Sequence, residues 1–148
     1  MKGKLRKGIF AIVYSFDKNI LKYLILKRKL HWKGWEFVKG KIELFETKKM
    51  AVVREVKEEA GIKIKKIKKH EFSGKFLYKK PLKDRPGIVG QTFTLYSAQM
   101  KKGKVKVDPI EHSEFKWMSY KNTLKNLTYK NQKESLKVVN DWLLEKFK

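Results

Sequence analysis

Three glutamates near the middle of the chain, Glu55, Glu58 and Glu59, fall at i, i+3 and i+4. On a helix that spacing crowds their carboxylates onto one face, with Cβ atoms about 5 to 6 Å apart. Like charges so placed repel, and a divalent cation relieves the repulsion. All-oxygen ligation favours Mg2+, or Mn2+, over zinc. Such an ion bridges phosphate oxygens and activates water, so the chemistry within reach is hydrolysis of a phosphate compound. The competing reading is a solvated acidic face paired with Lys48, Lys49 and Lys57. Two facts weigh against it: several of only 15 acidic residues stand side by side here, and Gly40, Glu46, Arg54 and Gly61 hold a fixed register around them.

A helix is needed to position these groups, and the sequence predicts one. From Thr47 to Ala60 there is no Pro or Gly, and Met50, Ala51, Val53, Val56 and Ala60 recur at helical spacing. Thr47 can cap its start and Gly61 its end. Ahead of it, Leu5 to Phe16 and Ile20 to Leu26 read as a hairpin turning at Asp17-Lys18-Asn19, and Trp35 to Val38 as a short strand leading into Lys39-Gly40. Behind it come strands over Ile62 to Ile67, Phe72 to Tyr78 and Gln91 to Met100, and a short edge strand over Lys104 to Val107. Pro81 to Gly90 reads as a loop. Ser119 can cap a short helix over Tyr120 to Asn126 and Thr128 a last one, with Leu136, Val139, Leu143 and Phe147 as its inward stripe. Strands interleaved with a central helix and closed by helices imply an α/β layer sandwich.

The run from Gly40 to Ile62 reduces to Gly40, five residues, Glu46, seven residues, Arg54-Glu55-Val56, one residue, Glu58-Glu59, one residue, Gly61-Ile62. This resembles the signature of the Nudix hydrolases at every defined position. The resemblance implies one Nudix domain over residues 1–148 with its motif at 40–62. It also implies an α/β/α sandwich with a mixed β-sheet between helices. Family members cleave a nucleoside diphosphate linked to another group, so selectivity comes from outside the motif.

Three flanking stretches narrow the choice. Trp35-Glu36-Phe37-Val38-Lys39-Gly40 looks like the W-x-F-P-K-G entry of the dinucleoside tetraphosphate (Ap4A) hydrolases and RNA 5′-pyrophosphohydrolases, with Val38 in place of the stiffening proline. Glu111-His112-Ser113-Glu114-Phe115-Lys116-Trp117 resembles the E-H-x-x-x-x-W segment of Ap4A hydrolases, whose glutamate reaches the metal. The third is Leu127-Thr128-Tyr129-Lys130-Asn131-Gln132, similar to their C-terminal helix. Val89-Gly90-Gln91 is similar to RNA 5′-pyrophosphohydrolases and plant-type Ap4A hydrolases alike.

The implied reaction is attack of metal-activated water on a polyphosphate, giving ATP and AMP from Ap4A, with RNA 5′ ends and other nucleoside diphosphate derivatives as alternatives. It needs charge neutralisation and in-line positioning rather than a nucleophilic triad. Glu55, Glu58, Glu59 and Glu111 are the expected metal ligands, with the carbonyl of Lys39 or Gly40 as a further one. Glu55 or Glu58 takes the water's proton. Arg54, which stays charged, orients Glu46 or Glu55. Lys39 is expected on a phosphate oxygen, and Tyr78 and Tyr129 on the nucleobase. His31, His70 and His112 have no metal-ligand spacing with one another and read as structural or surface residues.

The formal net charge of +23 makes polyanions, highly charged nucleotides or RNA, the natural partners. The basic residues are spread along the chain and overwhelmingly Lys, with Arg6, Arg28, Arg54 and Arg85 the only arginines. That pattern fits a compositional bias or adaptation to heat as well as a dedicated RNA face. With no Cys there are no disulfides and no thiolate chemistry. No apolar run is long enough to span a bilayer, and a cytoplasmic protein is expected. The rival from another class is a module that holds a nucleotide or RNA without turnover. It would be expected to have lost motif acids, and none is missing.

Overall fold

Residues 9–14 are apolar on both alternating faces, which suits a strand only where both sides of its sheet are covered. In the computed structural model, which describes residues 3–100 and 104–146, they form the middle of β1 (Lys4–Asp17). Ile9, Ala11 and Val13 point to one layer, and Phe10, Ile12 and Tyr14 to the other. β1 turns through Lys18 and Asn19, both at positive φ, into β2 (Ile20–Arg28), as the hairpin signal requires.

The remaining strands are β3 (Gly34–Glu36), β4 (Val38–Lys41), β5 (Ile64–Leu77), β6 (Ile88–Met100) and β7 (His112–Met118). They complete a seven-stranded sheet of order β3-β2-β1-β6-β5, with β4 also on β1 and β7 on β2. Among the strands of the described residues β1 and β6 pair in parallel and the other pairs are antiparallel, so the sheet is mixed. One layer is α1 (Lys48–Ala60), packed through Val52 and Val56 on Ile9, Leu24 and Val38. The other is α2 (Tyr120–Asn126) with α3 (Lys130–Lys146), whose Leu136, Val139 and Leu143 meet Phe10, Ile12 and Tyr23. This is the expected α/β/α sandwich. Among the described residues no helix is long and apolar enough to cross a membrane.

Several local expectations change. The Trp35 to Val38 strand is two strands meeting at Phe37, whose N–H leaves the ladder to donate to Gln132 Oε1 at 2.8 Å. The two strands expected before and after residue 70 are one, β5, with an irregularity between Lys69 and Ser73. Lys104 to Val107 is no strand: the Lys106 N–H instead caps the Ala60 carbonyl of α1 at 2.8 Å. Thr128 does not cap α3, because its hydroxyl accepts from the Trp35 N–H. The inward stripe of α1 is Ala51, Val52, Val56 and Ala60, while Met50 and Val53 are exposed. Phe147 lies outside the described residues.

Candidate active site

Helix α1 starts and stops where its caps dictate: Thr47 Oγ1 accepts from the Met50 N–H, and Gly61 adopts the left-handed conformation at φ 66°. The stripe it turns inward contains Glu59, one turn after Glu55 and beside Val56. Glu59 is 1% exposed and Glu55 12%, whereas Glu58, on the flank, is 57% exposed. All three line one cleft of about 210 Å³ together with Gly40 and Glu111.

Arg54 organises the mouth of this cleft. It donates to both oxygens of Glu46, at 2.8 and 2.9 Å, and to Glu55 Oε1 at 2.6 Å, Glu58 Oε2 at 3.2 Å and the Lys41 carbonyl at 2.8 Å. Where the sequence left Glu46 or Glu55 open as its partner, it holds both, and the forked contact goes to Glu46. That hydrogen bonding holds the Glu46 carboxyl down at about 2.

Gly40 lies against Glu55 so closely that a Cβ there would collide with the Glu55 carboxyl. Its carbonyl accepts from Gln91 Nε2 at 3.2 Å, a bond that crosses β1 at Gly8, where any side chain would block it. Gln91 in turn accepts from Arg6 Nε at 2.6 Å. Spacing alone marks neither Gln91 nor Arg6 as a site residue.

Behind the glutamates lies a buried polar group that local patterns do not reveal. Glu36 is fully buried and receives Arg28 Nη1 at 3.3 Å, Trp32 Nε1 at 3.1 Å, Lys39 Nζ at 3.4 Å and His112 Nε2 at 2.9 Å. Burial pushes its pKa up, but the Lys39 charge, the His112 hydrogen bond and Arg28 overcome it and hold the carboxyl at about 2. A carboxylate only accepts, so His112 Nε2 is the donor and Nδ1 faces Glu59 Oε1 at 3.9 Å. Ligating atoms of Glu36, Glu59 and His112 thus lie within 4.8 Å of one another. The one sequence sign of this group is an acid, Glu36, set between aromatic residues in a strand.

Neither oxygen of Glu59 has a hydrogen-bond partner, and neither has His112 Nδ1. Burial, then the charges of Glu55, Glu111 and Glu36, drives the Glu59 pKa well above the usual carboxylate range. Glu55 is raised too, by burial, against the pull of Arg54. Orphaned carboxylate oxygens among further acids are a donor set that fits a hard divalent cation. Glu36 already carries four donors, and Arg54 takes one oxygen each of Glu55 and Glu58, so the oxygens most open to a cation are both of Glu59 and the second ones of Glu55 and Glu58. Glu111 lines the same cleft, 29% exposed, 3.6 Å from Arg28 Nη1.

A second, larger hollow of about 440 Å³ adjoins the cleft across Trp32, Lys39 and Phe76, and it is mainly apolar. Tyr78 and Tyr129 both line it, so the structure brings the two tyrosines to one pocket. Tyr78 lies against Trp32 with ring planes inclined by 28° and centroids 6.2 Å apart. Lys39, expected on a phosphate, is 8% exposed, with its ammonium on Glu36 and over the Trp32 ring at 4.2 Å. His70, paired with Ser97 under Trp142, belongs to neither hollow. His31 lines the apolar one and contacts Asp84 at 3.0 Å.

Comparison with known proteins extends these observations. The sequence matches the family described as NUDIX domain over residues 4–139. No curated protein sequence matches it significantly. Among solved structures, an Ap4A hydrolase from C. elegans in a binary complex is 21% identical, with a TM-score of 0.76 over 95% of this chain and 99% of that one. The NUDIX domain of NrtR from Shewanella oneidensis, complexed with ADP-ribose, is 15% identical, with a TM-score of 0.76 over 95% and 89%. The E. coli dihydroneopterin triphosphate pyrophosphohydrolase is 20% identical, with a TM-score of 0.74 over 95% and 99%. At such identities the likeness is one of fold.

Proposed function

This chain belongs to the Nudix family, and from that premise we propose that it hydrolyses a phosphoric anhydride bond in a dinucleoside polyphosphate, splitting Ap4A asymmetrically into ATP and AMP. The observation that carries the reading is the junction of two hollows: a cleft with a carboxylate cluster, in which both Glu59 oxygens lack a hydrogen-bond partner, opens directly beside an aromatic pocket. The first suits a phosphate chain and the second a nucleobase. The C. elegans Ap4A hydrolase, which shares this fold, supports the same choice.

Glu55, Glu58 and Glu59 would hold Mg2+ or Mn2+, with Glu111 beside them, and the ion when bound would neutralise phosphate charge and activate water. Arg54 locks Glu46, Glu55 and Glu58 in place, and Gly40 leaves room for the Glu55 carboxyl. Water forms a bond to phosphorus while the bond to the bridging oxygen breaks, and the leaving phosphate carries away the negative charge. The water's proton goes to a glutamate. Glu58, the most exposed of the three, is placed to pass it to solvent. Trp32, Tyr78 and Tyr129 hold the base, and Lys39 stiffens the wall between the hollows.

A 5′-triphosphorylated RNA end is the second reading, favoured by the net charge of +23 and by the exposed lysines of β5. Incubation of the purified protein with Mg2+ and Ap4A, followed by separation of nucleotides, should yield ATP and AMP, and chelation should stop the reaction. Glu58→Gln hydrolysing as fast as the unmodified protein would overturn the site assignment. Equal rates on 5′-triphosphate RNA would broaden the substrate class.

A further inference from the structure

Of 38 lysines and arginines only four are arginines, and all four, Arg6, Arg28, Arg54 and Arg85, line the glutamate cleft. Lysine is the default cation everywhere else in this chain. The guanidinium is confined to the one place where a planar fork of donors would matter.

The four fall into two kinds. Arg28 and Arg54 are spent on carboxylates, Arg28 on Glu36 and Glu111 and Arg54 on Glu46, Glu55 and Glu58. Arg6 and Arg85 have no carboxylate within ion-pair distance among the described residues. Their hydrogen-bond partners are neutral: Gln91 Oε1 for Arg6, and the Tyr78 hydroxyl, at 2.7 Å from Nη1, for Arg85. Burial, followed by the charge of Arg85, lowers the Arg6 pKa against the opposing pull of Tyr78 and Glu55, so the two cations sense each other across the cleft. Among the described residues each donates one side-chain hydrogen bond, through a single nitrogen, and both line the cleft with donors to spare. Arg6 reaches it beside the Gln91–Gly40 contact, and Arg85 beside Tyr78 at the edge of the aromatic pocket.

We propose that Arg6 and Arg85 form a clamp for the phosphates remote from the scissile bond, which makes a chain of three or more phosphates the substrate class. The proposal rests on the hydrolase reading above and deepens it. Charge balance is the reason. A linear chain carries about one negative charge per phosphate. Glu55, Glu58 and Glu59 offset the charge of an ion they hold, and Arg28 and Arg54 are paired with carboxylates, so phosphates beyond the ion need further cations, which Arg6 and Arg85 can supply. A two-phosphate linkage such as that of ADP-ribose, held at the ion, leaves that pair unused.

Equilibrium binding of inorganic tripolyphosphate in the presence of Mg2+ tests the clamp without turnover. Arg85→Ala should weaken it about tenfold, and Arg85→Lys should recover only part of the loss, because charge returns without the fork. Arg6→Lys, which keeps a donor near Gln91, guards against loss of the fold, and should also weaken binding. In steady-state assays, the ratio of kcat/KM on Ap4A to that on ADP-ribose should fall about tenfold in Arg85→Ala. The same ratio taken with 5′-triphosphate RNA distinguishes the two sources of polyphosphate. Unchanged tripolyphosphate binding in both Arg85→Ala and Arg6→Lys overturns the clamp. Weakened binding in a protein that hydrolyses nothing would leave the clamp standing and remove the hydrolase reading instead.

Discussion

Arg54 grips Glu46 with two parallel hydrogen bonds, Nε to Oε2 at 2.8 Å and Nη2 to Oε1 at 2.9 Å, while its third nitrogen reaches Glu55 and Glu58. One planar group therefore ties the loop before α1 to two acids on the helix itself. A lysine has one nitrogen and cannot occupy these positions at once. Arg54→Lys is expected to lower kcat by about 10- to 100-fold, the usual cost of loosening groups around a metal. Far-UV circular dichroism should be unchanged, and a kcat within a factor of about two of the unmodified protein would remove the orienting role.

Glu59 couples metal binding to protons. Its pKa in the folded, metal-free protein lies well above that of an unfolded glutamate, so as pH rises the unfolded chain releases this proton first. Stability contributed by the neutral form is thus full below the unfolded value and is lost as pH climbs toward the folded one. A cation reverses that loss by displacing the proton. Mg2+ should raise Tm more at about pH 8 than at about pH 5, and calorimetry in buffers of differing ionisation enthalpy should detect proton release on binding. Binding without proton release would show that Glu59 is already ionised.

Gly40 is needed for space. A Cβ would meet the Glu55 carboxyl, and the backbone of β4 is fixed by its pairing with β1, so the glutamate must move. Gly40→Ala is expected to weaken Mn2+ affinity by about tenfold or more, read by electron paramagnetic resonance. Retained affinity would mean that Glu55 can ligate from another rotamer.

Trp32 serves both hollows, as a ring beside Tyr78 and Lys39 and as a donor to Glu36. Trp32→Phe keeps most of the ring and loses the hydrogen bond, whereas Trp32→Ala loses both. If the ring holds a base, Trp32→Ala should raise KM about tenfold, near the lower end of base-stacking energies, with Trp32→Phe in between. Equal KM values for all three proteins would move the base elsewhere.

His70 supplies a pH signature independent of metal. Burial, with Lys68 nearby, lowers its pKa to about 4, so between there and the ordinary 6.5 the unfolded chain binds a proton that the native protein refuses. Stability falls as pH drops through that window, by at most about 3 kcal/mol. His70→Gln should flatten the slope of denaturation free energy between about pH 6.5 and about pH 4. An unaltered slope would place the acid sensitivity in other groups.

Much of the site was legible because it is local. The helix from Thr47 to Gly61, its two caps and the placement of Glu55, Glu58 and Glu59 on it all follow from contacts three or four residues apart, and spacing alone encodes such contacts. The β1–β2 hairpin is legible for the same reason, since its turn residues sit beside the strands they join. What folding decided is which distant segments meet. Periodicity indicated that α1 is amphipathic but misassigned Met50 and Val53 to its inward side, because the helix's rotation is set by the sheet it lies on. Lys104 to Val107 has the composition of a strand and becomes a cap for α1, since the open Ala60 carbonyl lies within its reach. Glu36 with His112, Gln91 with Gly40, and Arg85 in the cleft with Arg6 depend on strand register and loop placement across the sheet. No local pattern carries such a register, because its energy resides in a packed core shared by the whole chain.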